Sequence, residues 1–513
     1  MQILKTISKN YSKILLAFIF IIALTLRWWY LPQGAVSFAY DQARDAFTVQ
    51  EILHGHLKIL GPSVSGVPGL FHGVLYYYVI APAYLLGRGD PIAVAYFLSF
   101  VSSLGVFTVY FLTKLLTKSK TPALIAATIF AFSFEASQYA NLMTNASLGV
   151  WFIPIIYIGL FLWINKSSKW APIITGLAFG FSVQSEVALA YQIVPITLWL
   201  FIYRDRIKRK EIIAFVLSFI VAVSSMLLAE VKFGFTGARG ILYLLTSKDG
   251  IVQAKELGDF LTTFLNQSGK TFAYTIFPQN LVFGGLLGFA ITIFSLSKKT
   301  FWSRFLCSCI FAYVVALPFG GWNMRHILVG IAPEVAALAG IFIWKYLGKY
   351  KILATGFLLI ILFSNLINIM KENKNGQTIF PLQLDLTLHN EIKVVDYTYQ
   401  KSGSAPFSIS TLTSPLFVNT TWSYLYSWYG TKKYGYLPYW VGRDQIGQLG
   451  DNLMFAPSNI AKHFFIIEPT YGILELWVKY AKGDQDAMST LVNQKNFGEL
   501  VVETRITKNV SQK

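Results

Sequence analysis

Eleven long apolar runs, most with lysine or arginine at one end, dominate this chain of 513 residues. A helix needs ~20 predominantly apolar residues to cross the hydrocarbon of a bilayer. The runs lie at 14–29, 92–116, 122–139, 146–164, 171–185, 187–203, 212–229, 277–296, 301–319, 327–346 and 352–370. Most reach the required length, and the run at 171–185 is short. Composition agrees: 54% of residues are hydrophobic and 13% are charged, against ~25% charged in soluble domains. A disordered chain is excluded.

The net charge of +18 is unevenly spread. Residues 1–370 hold 29 Lys/Arg and 13 Asp/Glu, and residues 371–513 hold 14 and 12. A nucleic-acid binder gathers its basic residues on a soluble face. Here they gather at the ends of apolar runs, so no nucleic-acid partner is expected. Alternate connections hold 19 cations, among them Lys5, Lys118, Lys166, Arg204, Lys298 and Lys351, against two acids, Asp205 and Glu211. The remainder of 1–370 holds 10 cations and 11 acids. This is the positive-inside pattern. It predicts eleven crossings, a cytoplasmic N-terminus and an external C-terminal region. The first run ends in Arg27-Trp28-Trp29 with no small-residue cleavage site, so it reads as a retained span in a multi-pass plasma-membrane protein.

The fold class expected is therefore a polytopic α-helical membrane protein of about 11 transmembrane helices with a C-terminal extracytoplasmic mixed α/β domain. The boundaries are 1–370 for the membrane domain, with a first outer loop at 30–91, and 371–513 for the soluble one. In the latter, helix-like pieces at 389–401 and 418–429 alternate with strand-like pieces at 406–411, 462–468 and 499–506. Its aromatics suit stacking on sugar faces, or equally core packing and membrane contact. Cys307 and Cys309, two apart in an apolar run, point to different helix faces and read as buried free thiols.

The polar residues that remain fall outside or at the outer edge. In DQARDAFTVQEILH, Asp41, Arg44, Asp45 and Thr48 share one helical face at i, i+3, i+4 and i+7. The helix reads as lying on the membrane surface with that face toward the protein, and Gly55 ends it. A carboxylate there accepts a proton from an attacking hydroxyl, and an arginine grips phosphate by paired hydrogen bonds. The same pattern also suits a solvated face with an ion pair. FHGVLYYYVIAPAYLL reads as a second helix, dipping into the outer leaflet. Asn141 and Asn145, Gln184 and Glu186, and Arg325 and His326 sit at outer edges of spans. Ionisable groups at such depth face a cavity or a partner, and a Glu186–Arg325 bridge is one structural alternative. Tyr76, Tyr77 and Trp322 suit a substrate groove or an interfacial belt. The segment 231–276, with Lys232, Arg239, Lys248 and Lys255, suits a gate. His54, His56 and His72 lack compact ligand spacing, so no cofactor is implied and a divalent metal has no spacing to support it.

These residues, in this order, resemble the GT-C superfamily of polyprenyl-phosphate-sugar-dependent membrane glycosyltransferases. The bacterial protein O-mannosyltransferases and the lipid A aminoarabinose transferases are the branches concerned. FAYDQARDAF is similar to the family's loop-one helix, with Asp41 in the place of the catalytic aspartate, Arg44 in that of the phosphate-contacting arginine, and Gln42 where a second acid stands. In FHGVLYYYVIAPAY, His72 stands where the family has lysine. QYANLMTNASLGVWFIP places Asn145 on a polar family position, GLAFGFSVQSEVALAY places Glu186 on a commoner histidine, and MRHILVGIAP carries Arg325.

The resemblance implies a glycosyltransferase. Its donor is a polyprenyl-phosphate-linked sugar at the outer leaflet, and its acceptor a glycan, lipid or protein. Asp41 is the expected base for an inverting attack at C1. Arg44, His72, Arg325 and His326 are expected on the donor phosphate, and Asp45, Asn145, Gln184, Glu186 and Tyr77 on the substrates. The competing classes are a transporter or flippase of lipid-linked sugars and a membrane-anchored binding protein. Neither internal repeats nor midplane polar residues favour a transporter.

Overall fold

The computed structural model describes residues 2–64, 67–246, 257–319, 325–380 and 386–508. The first helix, α1 (Gln2–Trp28), leads into a loop whose chain turns at Gly34, at φ 69°. Two loop-one helices follow, α2 (Tyr40–Leu53) and α3 (Leu75–Leu86). Then come α4 (Pro91–Ser103), α5 (Gly105–Thr117), α6 (Lys120–Phe132), α7 (Phe134–Ala140), α8 (Gly149–Ile164), α9 (Ala171–Ser185) and α10 (Ile193–Ile202). The remaining helices of this part are α11 (Arg209–Ala222), α12 (Ser224–Lys232), α13 (Thr236–Thr246), α14 (Leu257–Ile276), α15 (Leu281–Ser297), α16 (Phe301–Ile310), α17 (Ala332–Phe342) and α18 (Lys351–Glu372).

All eleven predicted runs fall on apolar helix, but most are broken by a kink or a short 3₁₀ turn. Four helical stretches among the described residues are long and apolar enough to cross a membrane: Tyr11–Gln33, Pro91–Thr117, Asn145–Ile164 and Lys351–Asn375. The count is six if two bent pairs each form one span. These pairs are α11 with α12, bent by 61°, and α14 with α15, bent by 93°. The segment 231–276, read as a gating loop, is largely helix. Lys248 and Lys255 lie outside the described residues. Helices pack closely where glycine meets backbone. A Cβ on Gly340 of α17 would stand 2.7 Å from the Ala126 nitrogen of α6. Such small-residue contacts drive association in lipid, where apolar burial gains nothing. Cys307 and Cys309 are buried free thiols.

The C-terminal part holds α19 (Leu388–Ser402), β1 (Phe407–Leu412), α20 (Thr420–Leu425), α21 (Thr431–Tyr434), β2 (Tyr439–Trp440), β3 (Lys462–Ile467), α22 (Glu475–Met488), β4 (Ser489–Phe497) and β5 (Leu500–Thr507). The sheet order is β2-β1-β3-β5-β4. β1 runs parallel to β2 and β3, with Phe407 opposite Lys462, and β5 is antiparallel to β3 and β4. β3 is buried from His463 to Ile467, so helices cover both faces. Tyr397 of α19 meets Phe464 on one face, and Val478 of α22 packs near Phe465 and Ile467 on the other.

This sheet shares a core with loop one. Val36, Phe38, Ala43, Ala46 and Val49 pack in one cluster with Leu386, Trp422, Tyr424 and Tyr426. Backbone bonds stitch the two: Phe38 N–H donates to Leu386 O at 3.2 Å, and Leu388 N–H to Val36 O at 2.9 Å. The α2 helix is thus not a free surface helix. The Ala43, Ala46 and Val49 face is enclosed, and Phe47 meets Tyr424 edge-on at 5.2 Å.

Candidate active site

The α2 helix starts after Ala39, whose N–H donates to Gln42 Oε1 at 2.9 Å. Gln42 Nε2 in turn donates to Met143 O at 3.3 Å. Gln42 therefore anchors the helix start instead of facing the site. One turn on, the i, i+3, i+4 spacing brings Asp41, Arg44 and Asp45 together as predicted. Arg44 Nη1 lies 2.7 Å from Asp41 Oδ1, and Nη2 lies 2.7 Å from Asp45 Oδ1. The side chains differ in exposure: Asp41 is 50% exposed, Arg44 15% and Asp45 2%. Of the two acids, Asp41 is thus the one open to solvent. Burial, with the Asp41 charge beside it, pushes the Asp45 carboxyl up to about 7 against the pull of Arg44 and of the Tyr77 hydroxyl. Tyr77 of α3 adds its hydroxyl beside Asp45 and Arg44, and Thr48 is engaged by Arg44 O of its own helix at 2.9 Å.

A second group faces this one. Residues 61–64 and 67–73 pair as the two arms of a narrow hairpin, with Gly61 N–H on His72 O and His72 N–H on Pro62 O. Gly73 N–H donates to Gln184 O at 2.8 Å, which docks the hairpin on the end of α9. His72 Nδ1 accepts the Val187 N–H at 3.2 Å, so the ring proton sits on Nε2. Burial, with His326 and Arg44 nearby, pulls the His72 imidazole down to about 3. It is neutral, so its 3.7 Å approach to Glu186 Oε1 is not an ion pair. Glu186 Oε2 lies 3.9 Å from His326 Nε2, and His326 also senses the Asp41 charge. Asp41 and Arg44 on one side, and His72, Glu186 and His326 on the other, therefore converge on one region.

Three predicted residues do other work. Arg325 does not meet Glu186. It is buried, and its Nη2 pairs with Glu135 Oε1 at 2.5 Å, a partner the sequence reading missed. The signal was present: Glu135 is an acid at the end of an apolar run in FAFSFEASQ. Asn145 Nδ2 donates to Ser185 O at 2.5 Å. Gln184 binds Ala222 O, the Leu75 N–H and the Ser225 hydroxyl. Both fix backbone around the site. Tyr76 is buried, and Trp322 lies outside the described residues. Among the described residues no group of three or more His, Cys, Asp or Glu is arranged to hold a metal.

Residues 71–228 match the dolichyl-phosphate-mannose-protein mannosyltransferase family. No curated protein sequence matches the chain. Among solved structures, the apo oligosaccharyltransferase of Archaeoglobus fulgidus is 12% identical with a TM-score of 0.49, over 81% of this chain and 63% of its own. The oligosaccharyltransferase AglB from the same organism, in complex with an inhibitory peptide and a dolichol-phosphate, is 13% identical with a TM-score of 0.46, over 77% and 58%. The arabinofuranosyltransferase AftD from mycobacteria is 12% identical with a TM-score of 0.42, over 96% and 41%. The chain spans less than two thirds of each of these proteins. Its family resemblance rests on the matched segment, which begins at Phe71 beside His72 and includes Glu186: over residues 71–228 the chain is similar to the GT-C-type dolichyl-phosphate-mannose-protein mannosyltransferases.

Proposed function

We propose that this chain is an inverting glycosyltransferase that moves a sugar from a polyprenyl-phosphate donor to an acceptor hydroxyl at the outer face of the plasma membrane. The observation that carries the reading is the half-exposed Asp41 carboxylate, held 2.7 Å from Arg44. Asp41 takes the proton of the acceptor hydroxyl as its oxygen attacks C1. The C1–O bond to phosphate breaks, the phosphate leaves with the electron pair, and the anomeric centre inverts. A phosphate leaving group needs charge neutralisation more than a general acid. Arg44 supplies it, and the neutral imidazoles of His72 and His326 each offer a ring N–H. Asp45 and Glu186 orient Arg44 and His326, and Tyr77 packs beneath them. Arg325, Asn145 and Gln184 support the site from behind. The matched family's description, with a dolichyl-phosphate sugar and a protein, supports a lipid-phosphate donor. A glycan, lipid or protein acceptor fits the same chemistry.

The reading includes eleven crossings, a cytoplasmic N-terminus, a membrane domain at 1–370 and an extracytoplasmic domain at 371–513. Its test is transfer by the purified full-length chain in detergent from polyprenyl-phosphate sugars, beginning with mannose. Without a sealed bilayer a flippase shows no transfer. Turnover that disappears in Asp41→Asn is expected. Undiminished turnover in Asp41→Asn would remove Asp41 as the base.

A further inference from the structure

The four-residue turn Arg325–Leu328 carries His326 toward the site, and its backbone is clamped on both sides of that histidine. Tyr139 of α7 donates its hydroxyl to Arg325 O at 2.5 Å. Tyr191, in the turn after α9, donates its own to Ile327 O at 2.8 Å. The Arg325 side chain points the other way, into a closed polar nest. Its Nη2 meets Glu135 Oε1 at 2.5 Å. Its Nη1 meets Gln267 Oε1 and Thr271 Oγ1 of α14, each at 3.3 Å. The guanidinium lies over the Tyr274 ring at 5.1 Å. Glu135 is fully buried, and its second oxygen accepts from Thr275 at 3.2 Å.

A buried ion pair is poor evidence for stability by itself, because desolvation offsets the attraction. A buried pair does fix geometry, since each partner is costly to leave alone. Here the fixed geometry belongs to the residue next to His326. His326 is 36% exposed and points to Glu186 Oε2. Its neighbour is sealed on α7 and α14. The turn therefore cannot rotate without breaking the ion pair and a tyrosine bond together.

We propose that Glu135 and Tyr139 are positioning residues that act through Arg325 to hold His326 against the donor phosphate. Arg325 is then the anchor of this turn, and no direct ligand of the donor. This rests on the reading of the site as a polyprenyl-phosphate site. Glu135 and Tyr139 touch no substrate. They set the place of the imidazole that does.

The test is a mutant cycle read by binding of undecaprenyl monophosphate to the full chain in detergent. Glu135→Gln and Tyr139→Phe keep side-chain size and are made in the wild-type chain and in His326→Ala. Thermal midpoints of all variants are measured in parallel, so a variant that fails to fold is identified, and Tyr139→Phe then carries the test alone. The expected result is a several-fold loss of affinity for each variant in the wild-type background and no further loss once His326 is absent. Equal losses in both backgrounds would overturn the proposal, because the two residues would then act on the site without His326. Wild-type affinity in both variants would overturn it as well. No saturable binding by the wild-type chain would remove the donor reading and this inference with it. Binding with equal losses in both backgrounds removes the inference alone.

Discussion

Arg44 reaches a single oxygen of Asp45 through two of its nitrogens, Nε at 2.9 Å and Nη2 at 2.7 Å, while its remaining nitrogen holds Asp41. One guanidinium thus serves a buried acid and a half-exposed one. A lysine cannot reproduce this fork. Arg44→Lys is expected to weaken binding of undecaprenyl monophosphate by about tenfold, equivalent to ~1.4 kcal/mol. Unchanged affinity would show that Arg44 does not meet the phosphate.

The Asp45 carboxyl, raised to about 7 by burial, sets a pH dependence. The folded protein binds its proton more tightly than the unfolded chain does. Between the ordinary carboxylate range and about 7, stability therefore falls as pH rises. In the same window Asp45 becomes charged and offsets Arg44, so attraction for an anionic lipid weakens. Affinity is expected to fall several-fold from pH 6 to pH 8. Asp45→Asn, measured at the same pH values to cancel the ligand's own titration, flattens that slope. An identical slope in the variant would contradict the assignment.

The hairpin that presents His72 leaves no room at Gly61. A methyl there would collide with the carbonyl oxygens of Gly73 and His72. Because both are backbone, neither side chain nor rotamer can yield. Gly61→Ala is expected to destabilise the fold by ~1–3 kcal/mol, the usual range for overpacking. Comparison of thermal midpoints checks it, and an unchanged midpoint would mean the hairpin opens without cost.

The Tyr424 hydroxyl donates to Gly89 O at 2.6 Å, tying α20 to the start of α4. Its removal in Tyr424→Phe is expected to cost ~0.5–1.5 kcal/mol. A chain ended at Glu372 loses far more, because it bares the core that α2 shares with Trp422 and Tyr424. It is expected to aggregate on purification. A monodisperse truncated chain would show that loop one folds by itself.

Glu391 is buried in the C-terminal part, and among the described residues neither of its oxygens has a hydrogen-bond partner. Burial, and the Glu468 charge, raise it well above the ordinary carboxylate range; burial pushes Glu468 itself up to about 7. Stability therefore falls as pH rises past the ordinary range, since the fold favours the protonated acid. Glu391→Gln removes that penalty. Its thermal midpoint is expected to exceed the wild type's at pH 8 and to approach it at pH 5. A midpoint below the wild type's at pH 8 would mean that Glu391 is ionised and bound.

Much of this was legible in the residues. The Asp41, Arg44, Asp45 face followed from helical spacing alone, and α2 forms where the pattern starts and stops. The strands at 407–412, 462–467 and 500–507 lie within a residue of the strand-like pieces at 406–411, 462–468 and 499–506. The α22 helix and β4 were missed, since β4 is exposed along most of its length and lacks an apolar signature. The resemblance puts Arg325 on the donor phosphate, whereas its side chain pairs with Glu135. A motif does not say which way a side chain turns.

The amino-acid pattern by itself determined that apolar helices dominate, where the cations collect, and which face of α2 carries charge. These are local properties, set by the periods of helix and strand and by the cost of charge in lipid. Only the tertiary structure decided that Glu135 meets Arg325 across 190 residues, that Gln184 docks the His72 hairpin, and that loop one shares its core with the C-terminal sheet. Partners so far apart along the chain are chosen by packing, in which most buried polar groups must find a neighbour to bond.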